Sequence, residues 1–227
     1  MSTSNLFLVS GGTGGIGSAI CEELASRGYT PIIGYRNNSL GAQNIATQVG
    51  GLAVHLDLSS DESIEAAAKF ILEQNSPLAG VILAGSPPPD LVPFGKIQPT
   101  VLQEHIRVNV IGPQYLLSLL VRNFFRKQKQ GAVVGILTQA MGQGIGTAMS
   151  GMGAYTIGKY GLLGILSVLS ADYPWLRVRT VSPGYTETPM LNAFDERFLD
   201  MQRANFQFST PIEVAHRIVD EAISNEP

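Results

Sequence analysis

The sequence has little of several residue types, and each shortage excludes a class of protein. Its 227 residues include one cysteine, Cys21, so no disulfide can form within the chain and a reducing compartment is favoured. Charged residues make up only 15%, and no block of lysine and arginine argues for a nucleic-acid or anionic-membrane partner. The early apolar run at residues 6–9 is too short for a signal peptide or a membrane span. These shortages predict a cytoplasmic protein with no nucleic-acid or membrane partner.

Short apolar runs alternate with amphipathic stretches along the chain. The apolar runs predict β-strands at residues 5–10, 31–35, 51–56, 78–84, 131–138 and 176–182, in the nearly continuous pattern of a parallel sheet buried on both faces. The stretches between them predict helices at residues 15–27, 40–49, 61–74, 100–126, 153–171 and 211–224. Repeated strand–helix–strand units connect by right-handed crossovers. We therefore predict an α/β fold with a doubly wound parallel sheet, in a single domain over residues 1–227.

Local signals place two helix starts and two loops. Ser59 or Ser60 is expected to cap the third helix, and Thr210 the last one, ahead of Pro211. Three consecutive prolines at residues 87–89 require an extended or turning loop. Residues 140–153 are rich in glycine and methionine and predict a flexible loop.

A glycine-rich turn, Ser10-Gly-Gly-Thr-Gly-Gly-Ile-Gly17, joins the first strand to the first helix. Glycines allow a tight turn that brings backbone N–H groups close to a pyrophosphate, and a helix N-terminus favours the negative charge. A purely structural turn also uses glycine. Its position in a series of β-α-β units nevertheless predicts a dinucleotide site.

Tyr155 and Lys159 are four residues apart, so both project from one face of a helix. A free tyrosine titrates about three pH units above neutrality, which corresponds to roughly 4 kcal/mol. An ammonium group ~4 Å from a phenolate gives a favourable electrostatic energy of about the same size at an effective dielectric near 20. Lys159 can therefore bring the pKa of Tyr155 into the range of general acid–base catalysis. A surface Tyr–Lys pair can have the same spacing, so the other motifs must distinguish a catalytic pair from a surface pair.

Together, the spacing Gly11-x-x-x-Gly15-x-Gly17 and the pair Tyr155-x-x-x-Lys159 resemble the short-chain dehydrogenase/reductase family. The resemblance extends from residue 5 to about residue 224 and is greatest to the carrier-protein β-ketoacyl reductases. It implies a Rossmann-type fold, a nicotinamide cofactor, and hydride transfer between that cofactor and a carbonyl or alcohol. Relatives usually continue into a seventh strand and a Gly-Gly tail, so the resemblance implies that this chain lacks the usual last C-terminal strand.

The resemblance assigns catalytic roles to four residues. Tyr155 is the general acid for ketone reduction, and Lys159 binds the nicotinamide ribose and lowers the pKa of Tyr155. Asn109 matches an asparagine that supports a proton relay, although a helix asparagine also bonds locally to backbone. Thr138 stands where the family has serine, and its hydroxyl can polarise a carbonyl while its methyl group narrows the pocket. Ser150, on the loop at 140–153, is a weaker substitute.

The resemblance also implies a set of cofactor-binding positions, and no metal site. They are Ser10, Gly11, Gly15, Ile16, Gly17, Arg36, Asp57, Ala84, Gly85, Pro183, Gly184, Thr186 and Thr188. The second strand ends without the carboxylate that holds the ribose hydroxyls of NAD, and Arg36 suits a 2′-phosphate, so NADP(H) is favoured over NAD(H). The alternative for Arg36 is a solvated strand-end residue. Asp57 matches an acidic position near the adenine or, alternatively, caps its loop, whereas His55 is predicted to be a strand residue.

One segment departs from the family pattern, and another allows two interpretations. Ala84-Gly85 ends a stretch in which the family's usual pair of asparagines is missing. Residues 189–208 carry eight large apolar side chains, which in relatives form a mobile lid over the substrate but can also be core. The predicted substrate is a small molecule or an acyl thioester. The long fourth and fifth helices can pair across a two-fold axis, so a homodimer or homotetramer is expected.

Two functions follow from these residues. The first is an NADPH-dependent carbonyl reductase that transfers hydride to a ketone such as a β-ketoacyl thioester. The second is a dinucleotide-binding sensor or interaction subunit with little turnover, suggested by the missing serine, the missing asparagine pair and the missing tail. Tyr155, Lys159 and Asn109 favour the first, because a pure binding protein does not need that combination.

Overall fold

Nearly continuous apolar runs form the strands of one parallel sheet. The computed structural model describes residues 5–224. Its strands are β1 (Leu6–Ser10), β2 (Thr30–Tyr35), β3 (Leu52–His55), β4 (Leu78–Leu83), β5 (Ala132–Ile136) and β6 (Arg177–Val181). All neighbours are parallel, in the order β3-β2-β1-β4-β5-β6. The predicted doubly wound fold is confirmed, and residues 5–224 contribute no seventh strand to the sheet.

Helices cover both faces of the sheet. They are α1 (Gly15–Ser26), α2 (Ser39–Val49), α3 (Asp61–Glu73), α4 (Pro99–Ile106), α5 (Gly112–Leu120), α6 (Arg126–Gln128), α7 (Gly153–Asp172), α8 (Glu196–Asn205) and α9 (Pro211–Ile223). One core cluster joins the sheet to α1, α2 and α9, and the other joins it to α3, α5 and α7. Cys21 is fully buried in the first cluster, as the sequence predicts. The strand order reverses between β1 and β4, which opens a crevice at the carboxyl ends of these strands.

Both predicted helix caps are present. Ser60, rather than Ser59, caps α3, and its hydroxyl accepts a hydrogen bond from the backbone N–H of Ser63 at 3.2 Å. Thr210 caps α9 in a reciprocal capping box with Glu213. Each such cap stabilises a helix start by about 1 kcal/mol. They fix where the chain enters α3 and α9 after the two loops that border the crevice.

The predicted helix at 100–126 is helical throughout but is not a regular α-helix. Two π-helical turns, Arg107–Ile111 and Val121–Phe125, separate α4 from α5 and α5 from α6. The first of these turns contains Asn109. Beside it, a Cβ atom on Gly112 would lie 2.0 Å from the Leu58 carbonyl oxygen, so only glycine allows this contact between backbones. Single π turns inside α-helices are frequent at functional sites.

The long helix α7 is apolar on more than its inner face. By length and composition alone it could cross a membrane, but a helix that forms one side of a protein core passes the same test. Its inner face is packed in the core and includes Tyr155 and Lys159, both buried. Its outer face exposes Tyr160, Leu163 and Val168. The structure therefore assigns α7 a role in the core and leaves an apolar outer face.

The lid predicted at 189–208 has regular structure that the sequence did not indicate. A 3₁₀ turn at Pro189–Ala193 leads into α8, which Asp195 caps through bonds from the N–H groups of Arg197 and Phe198. The backbone closes the base of this segment: Glu187 N–H donates to the Ser209 carbonyl at 3.0 Å, and Ser209 N–H donates to the Tyr185 carbonyl at 2.9 Å. The segment is therefore a flap pinned at its two ends.

Candidate active site

The turn after β1 lies flush against the end of β4. Gly11 has a φ of 65°, and a Cβ atom there would lie 2.7 Å from the Gly85 Cα. A Cβ atom on Gly17 would lie 2.2 Å from the Gly11 carbonyl oxygen. The buried Ser10 hydroxyl accepts bonds from the N–H groups of Ala84, at 3.2 Å, and Gly85, at 3.3 Å. Ser10 thus joins two strand ends, and the glycines are required by close backbone contact.

The N-terminus of α1 is open toward an anion. Its N-cap is Gly14, which provides no side-chain cap for the first N–H groups of the helix, at Gly15, Ile16 and Gly17. A Cβ atom on Gly15 would lie 2.7 Å from the Thr188 Cγ2, so the segment after β6 covers this turn. Uncapped N–H groups and the helix dipole together favour a phosphate. The arrangement fits the pyrophosphate of a dinucleotide.

The residues predicted for the adenosine end lie after β2 and β3. Arg36 is exposed, and its guanidinium lies 3.9 Å from the Glu104 carboxylate, which is a weak surface pair. The Asp57 carboxylate accepts bonds from the backbone N–H of Ser59 at 2.8 Å and from its hydroxyl at 2.7 Å. Asp57 therefore caps its loop in this structure. His55 ends β3 and packs edge-on against Tyr35, as expected for a strand residue.

Tyr155 and Lys159 share the buried face of α7, as the spacing predicts. Their exposed fractions are 7% and 2%, and the Lys159 Nζ lies 5.6 Å from the centre of the Tyr155 ring. The ammonium group donates a hydrogen bond to the Ile136 carbonyl at 2.8 Å. The end of β5 therefore holds Lys159 behind Tyr155.

Burial shifts both groups toward their neutral forms. It raises the pKa of Tyr155 to about 12, opposed by a smaller effect of hydrogen bonding to the Thr138 hydroxyl. It lowers the pKa of Lys159 to about 7. The expected lowering of the Tyr155 pKa by Lys159 is not found, because desolvation dominates and removes much of the lysine charge at neutral pH. Tyr155 thus holds its proton at pH 7, which is the state that a general acid requires.

Thr138 and Tyr155 line the same cavity. Thr138 follows β5, and its Oγ1 accepts a bond from the Ala140 backbone N–H at 3.2 Å. The Thr138 O–H proton is still available for a bond to the phenol or to a carbonyl. Ser150 lies on the exposed part of the following loop and is not among the residues that line this cavity.

Asn109 lies behind this pair, and a second residue that the sequence reasoning missed lies beside it. The Asn109 amide N–H donates to the His105 carbonyl at 3.1 Å, and both side chains are 1% exposed. The imidazole of His105 packs edge-on against Tyr155, with ring centres 5.9 Å apart. The signal in the sequence was the four-residue spacing of His105 and Asn109, which places both on one helix face.

The cavity is about 520 Å³ and is bounded by the strand ends on one side and the flap on the other. Ala84, Pro183, Gly184, Thr186 and Thr188 line it with Ile16, so the predicted positions after β4 and β6 meet there. Its apolar wall includes Met149, Met152, Met190, Leu191, Phe194 and Phe206. Among the described residues that line it there is no carboxylate, and the cations are Lys159 and Arg217.

An aromatic cluster braces the flap over this cavity. Tyr185 stacks on Phe208 with ring centres 4.8 Å apart and contacts Phe194 and Phe198 edge-on. The Tyr185 hydroxyl also reaches the Met149 sulfur at 3.7 Å, which connects the flap to the glycine–methionine loop. The flap and the glycine–methionine loop are therefore connected through Tyr185.

A family model described as short chain dehydrogenase matches residues 5–197, which is most of the chain. The chain belongs to the short-chain dehydrogenase family. Membership makes it an oxidoreductase that acts on CH–OH and C=O groups with a nicotinamide dinucleotide. The uncapped end of α1 and the close-packed glycines fit that cofactor, as shown above.

Two named relatives share nearly three residues in ten with this short-chain dehydrogenase. It is 29% identical to the human 3-oxoacyl-[acyl-carrier-protein] reductase over 219 residues, which cover 93% of this chain and 88% of the relative. It is 28% identical to the acetoacetyl-CoA reductase of Paracoccus denitrificans over 195 residues, covering 85% and 78%. A crystal structure of 3-ketoacyl-(acyl-carrier-protein) reductase from Brucella melitensis with NADH has a TM-score of 0.86 at 19% identity, covering 96% and 90%. At that identity the structural likeness establishes the fold alone.

Proposed function

We propose that this dehydrogenase is an NADPH-dependent carbonyl reductase whose substrate is a ketone such as a β-ketoacyl thioester, reversible as an alcohol dehydrogenase. The observation that carries the proposal is that Thr138, Tyr155 and Lys159 line one cavity together with Ile16 of the dinucleotide turn and Thr188 of the segment after β6. A proton donor, a hydroxyl donor and a cofactor site therefore open on the same space. Such a space can hold a carbonyl against all three.

The chain's own groups handle the oxygen and the proton, while a bound nicotinamide supplies or accepts the hydride. Tyr155 donates its proton to the substrate oxygen, and Thr138 donates a hydrogen bond to the same atom. When Tyr155 becomes a phenolate, protonated Lys159, whose Nζ lies 5.6 Å from the ring centre, stabilises it by Coulomb attraction. The lysine thus acts after proton transfer has begun, rather than by lowering the resting pKa of Tyr155. Asn109 supports the return of a proton from solvent.

Three groups of residues would hold the cofactor. The uncapped N–H groups of Gly15, Ile16 and Gly17 would hold the pyrophosphate, and Gly11 would let the backbone approach it. The segment from Pro183 to Thr188 would hold the nicotinamide end, and Ala84 and Gly85 would contact the cofactor between its two ends. Arg36 is exposed after β2, which ends without an acidic residue, and only a weak surface pair with Glu104 holds it, so it favours NADP(H) over NAD(H). Asp57 contributes by shaping the adenine-side loop.

The cavity favours an apolar or extended substrate. Methionine, leucine and phenylalanine side chains form its outer wall, and no carboxylate of the described residues faces it. A β-ketoacyl thioester has a polar reacting end and an apolar tail, which matches this distribution. The human and Paracoccus relatives are named as reductases of such thioesters, which supports the same class here.

The alternative of a binding subunit with little turnover is not favoured, since the relatives named above are enzymes and the proton-transfer residues are present and buried together. We place the enzyme in the cytoplasm as a single-domain homodimer or homotetramer. The exposed apolar side chains of α7, with Ile111 on the neighbouring π turn, suit a helix-to-helix contact between two copies.

The proposed function is tested by following cofactor oxidation with β-ketoacyl thioesters of increasing chain length, keto-sugars and simple diketones. We expect turnover to be highest with the thioesters and kcat/KM to be at least about tenfold higher with NADPH than with NADH, because a guanidinium–phosphate pair is worth a few kcal/mol. Arg36→Ala is the matched variant and should reduce that preference while leaving NADH turnover unchanged. Tight cofactor binding without oxidation by any carbonyl would contradict the proposal and favour the binding-subunit alternative.

Two substitutions of Thr138 separate the contribution of its hydroxyl to catalysis from the contribution of its branched shape. We expect Thr138→Val, which keeps the branched shape, to lower kcat about 100-fold, because it removes a hydrogen-bond donor to the reacting oxygen. Thr138→Ser keeps that donor and the bond to Ala140, so kcat should stay within a few-fold of the parent. Steady-state kinetics with one ketone measures both. Equal activity of the valine and serine variants would show that the substrate oxygen is held elsewhere.

A further inference from the structure

Arg217 is a cation of the cavity lining that the reductase chemistry does not use. It lies in the second turn of α9, which begins just after the flap ends. Its exposed side chain lines the cavity together with Gln202 and Gln207 of the flap. The other cation of the lining, Lys159, is buried and bonded to the Ile136 carbonyl at the end of β5. Arg217 therefore adds a positive charge to a part of the lining that is otherwise uncharged.

Three acidic side chains lie close to Arg217 along its own helix, yet it pairs with none of them. Glu213, Asp220 and Glu221 are three or four residues away, which is the spacing that brings side chains together on a helix. Glu213 precedes Arg217 by four residues, in the order that most favours an ion pair. Nevertheless, the Arg217 guanidinium forms no ion pair or hydrogen bond with any group of residues 5–224.

Each of these three carboxylates is held by another group. Glu213 accepts hydrogen bonds from the backbone N–H and the hydroxyl of Thr210 in the capping box, at 2.7 and 3.0 Å. Asp220 pairs with an arginine at the end of α1 at 3.0 Å, and Glu221 with an arginine of β6 at 3.8 Å. The N–H donors of the Arg217 guanidinium are therefore available to a ligand in the cavity.

The acidic groups of the flap and its base do not compete for Arg217 either. Both carboxylate oxygens of Glu187 accept bonds from Arg203 at 3.3 Å, and Asp195 caps α8. No carboxylate is among the described residues that line the cavity. The side-chain amides of Gln202 and Gln207 add further N–H donors to the same lining. A guanidinium and two amides without a competing carboxylate fit an oxyanion group.

We propose that Arg217 binds an anionic group of the substrate, a phosphate or a carboxylate remote from the reacting carbonyl, and is thereby a specificity-determining residue. The proposal deepens the proposed reductase function and rests on it for its kinetic part. The carbonyl is held by Thr138 and Tyr155, on β5's end and α7, whereas Arg217 follows the flap. A thioester meets this arrangement with a phosphate of its carrier, and a keto acid meets it with a carboxylate at the far end of its chain. Neutral ketones lack the contact and bind more weakly.

Binding to the NADP⁺-loaded enzyme tests the site without turnover, because the oxidised cofactor has no hydride to give. The phosphate arm compares acetoacetyl-CoA with the neutral acetoacetyl thioester of N-acetylcysteamine, and the carboxylate arm compares levulinate with its methyl ester. In at least one arm we expect calorimetry to give a Kd about tenfold lower for the anion than for its neutral partner, and Arg217→Gln to remove that difference. The arm that responds identifies the source of the anion.

A matched variant controls for the loss of one positive charge. Arg126 is exposed on α6 and does not line the cavity, so Arg126→Gln should leave both arms as in the parent. Equal affinity for the anion and its neutral partner in both arms would overturn the proposal. So would a difference that survives Arg217→Gln.

Kinetics test the role in turnover. We expect Arg217→Gln to raise the KM for the anionic ketone about tenfold, with kcat within a few-fold of the parent and the KM values for the neutral ketone and NADPH unchanged. Arg217→Lys keeps the charge without the planar fork and should recover part of the loss. A rise in the KM for NADPH instead would place the cofactor's pyrophosphate on Arg217 and overturn the proposal. If the parent reduces no carbonyl, the proposed function fails, while the binding result still decides this proposal.

Discussion

Replacing Tyr155 by phenylalanine is expected to lower kcat for ketone reduction by about 10³-fold or more, because it removes the proton donor and leaves everything else in place. The ring remains packed between His105 and Lys159, and the cavity loses only an oxygen atom. Cofactor affinity should stay within about twofold of the parent, since the phosphate turn is on other elements. Single-turnover reduction and fluorescence titration of NADPH measure the two quantities.

A tyrosine elsewhere in the chain provides the control for this change. Tyr173 follows α7 and packs edge-on against Trp175, away from the cavity, so Tyr173→Phe should leave kcat unchanged. A Tyr155→Phe enzyme that keeps more than about a tenth of the parent kcat would assign proton donation to another group. In that case the raised pKa of Tyr155 would be a property of a core residue only.

Replacing Lys159 by methionine should abolish reduction and raise stability at neutral pH. Lowering a lysine pKa from 10.5 to about 7 corresponds to a cost of roughly 4 kcal/mol at pH 7, since the unfolded chain holds the proton that burial disfavours. Methionine removes that cost but leaves the Ile136 carbonyl without its donor, which offsets about 1–3 kcal/mol. We therefore expect the free energy of unfolding at pH 7 to increase by about 1–3 kcal/mol.

The pH dependence gives this prediction a second, signed test. The folded-state pKa of Lys159 is depressed, so its contribution to stability is fully present above the unfolded value of 10.5 and is lost as pH falls to about 7. The parent should accordingly gain stability from this group between pH 7 and pH 10.5, and the methionine variant should not. Lys69, which is 78% exposed, provides the control Lys69→Met, for which denaturant midpoints should hardly change. A methionine variant less stable than the parent at pH 7 would show that burial does not disfavour the charged form of Lys159 in the folded protein.

Features that depend on residues near in sequence were predictable. The apolar runs indicated all six strands to within two or three residues, and the Tyr–Lys spacing placed both side chains on the buried face of α7. Thr210 and the first-turn Pro211 gave the start of α9 for the same reason. In each case the pattern within about ten residues determines the structure.

What escaped prediction depends on packing between distant segments. The pKa of Tyr155 was expected to fall because of Lys159, but burial by α4 and β5 raises it, and no local pattern reports that burial. The π turn at Asn109 lies inside one continuous helical stretch, so the sequence pattern predicts a helix there without showing the extra residue in the turn. His105 was overlooked because its importance arises only when α7 is packed against it.

The flap pinned at its base separates two kinds of change in this chain. Because the backbone bonds at Tyr185, Glu187 and Ser209 close its two ends, the residues between can change in length or size at little cost to the sheet. Apart from Thr188 at its base, the groups proposed to hold the cofactor and move the proton lie outside the flap, on strand ends, the N-terminus of α1, the first π turn and α7. Substitutions in the flap can therefore change the range of substrates while the residues that carry out the reaction stay the same.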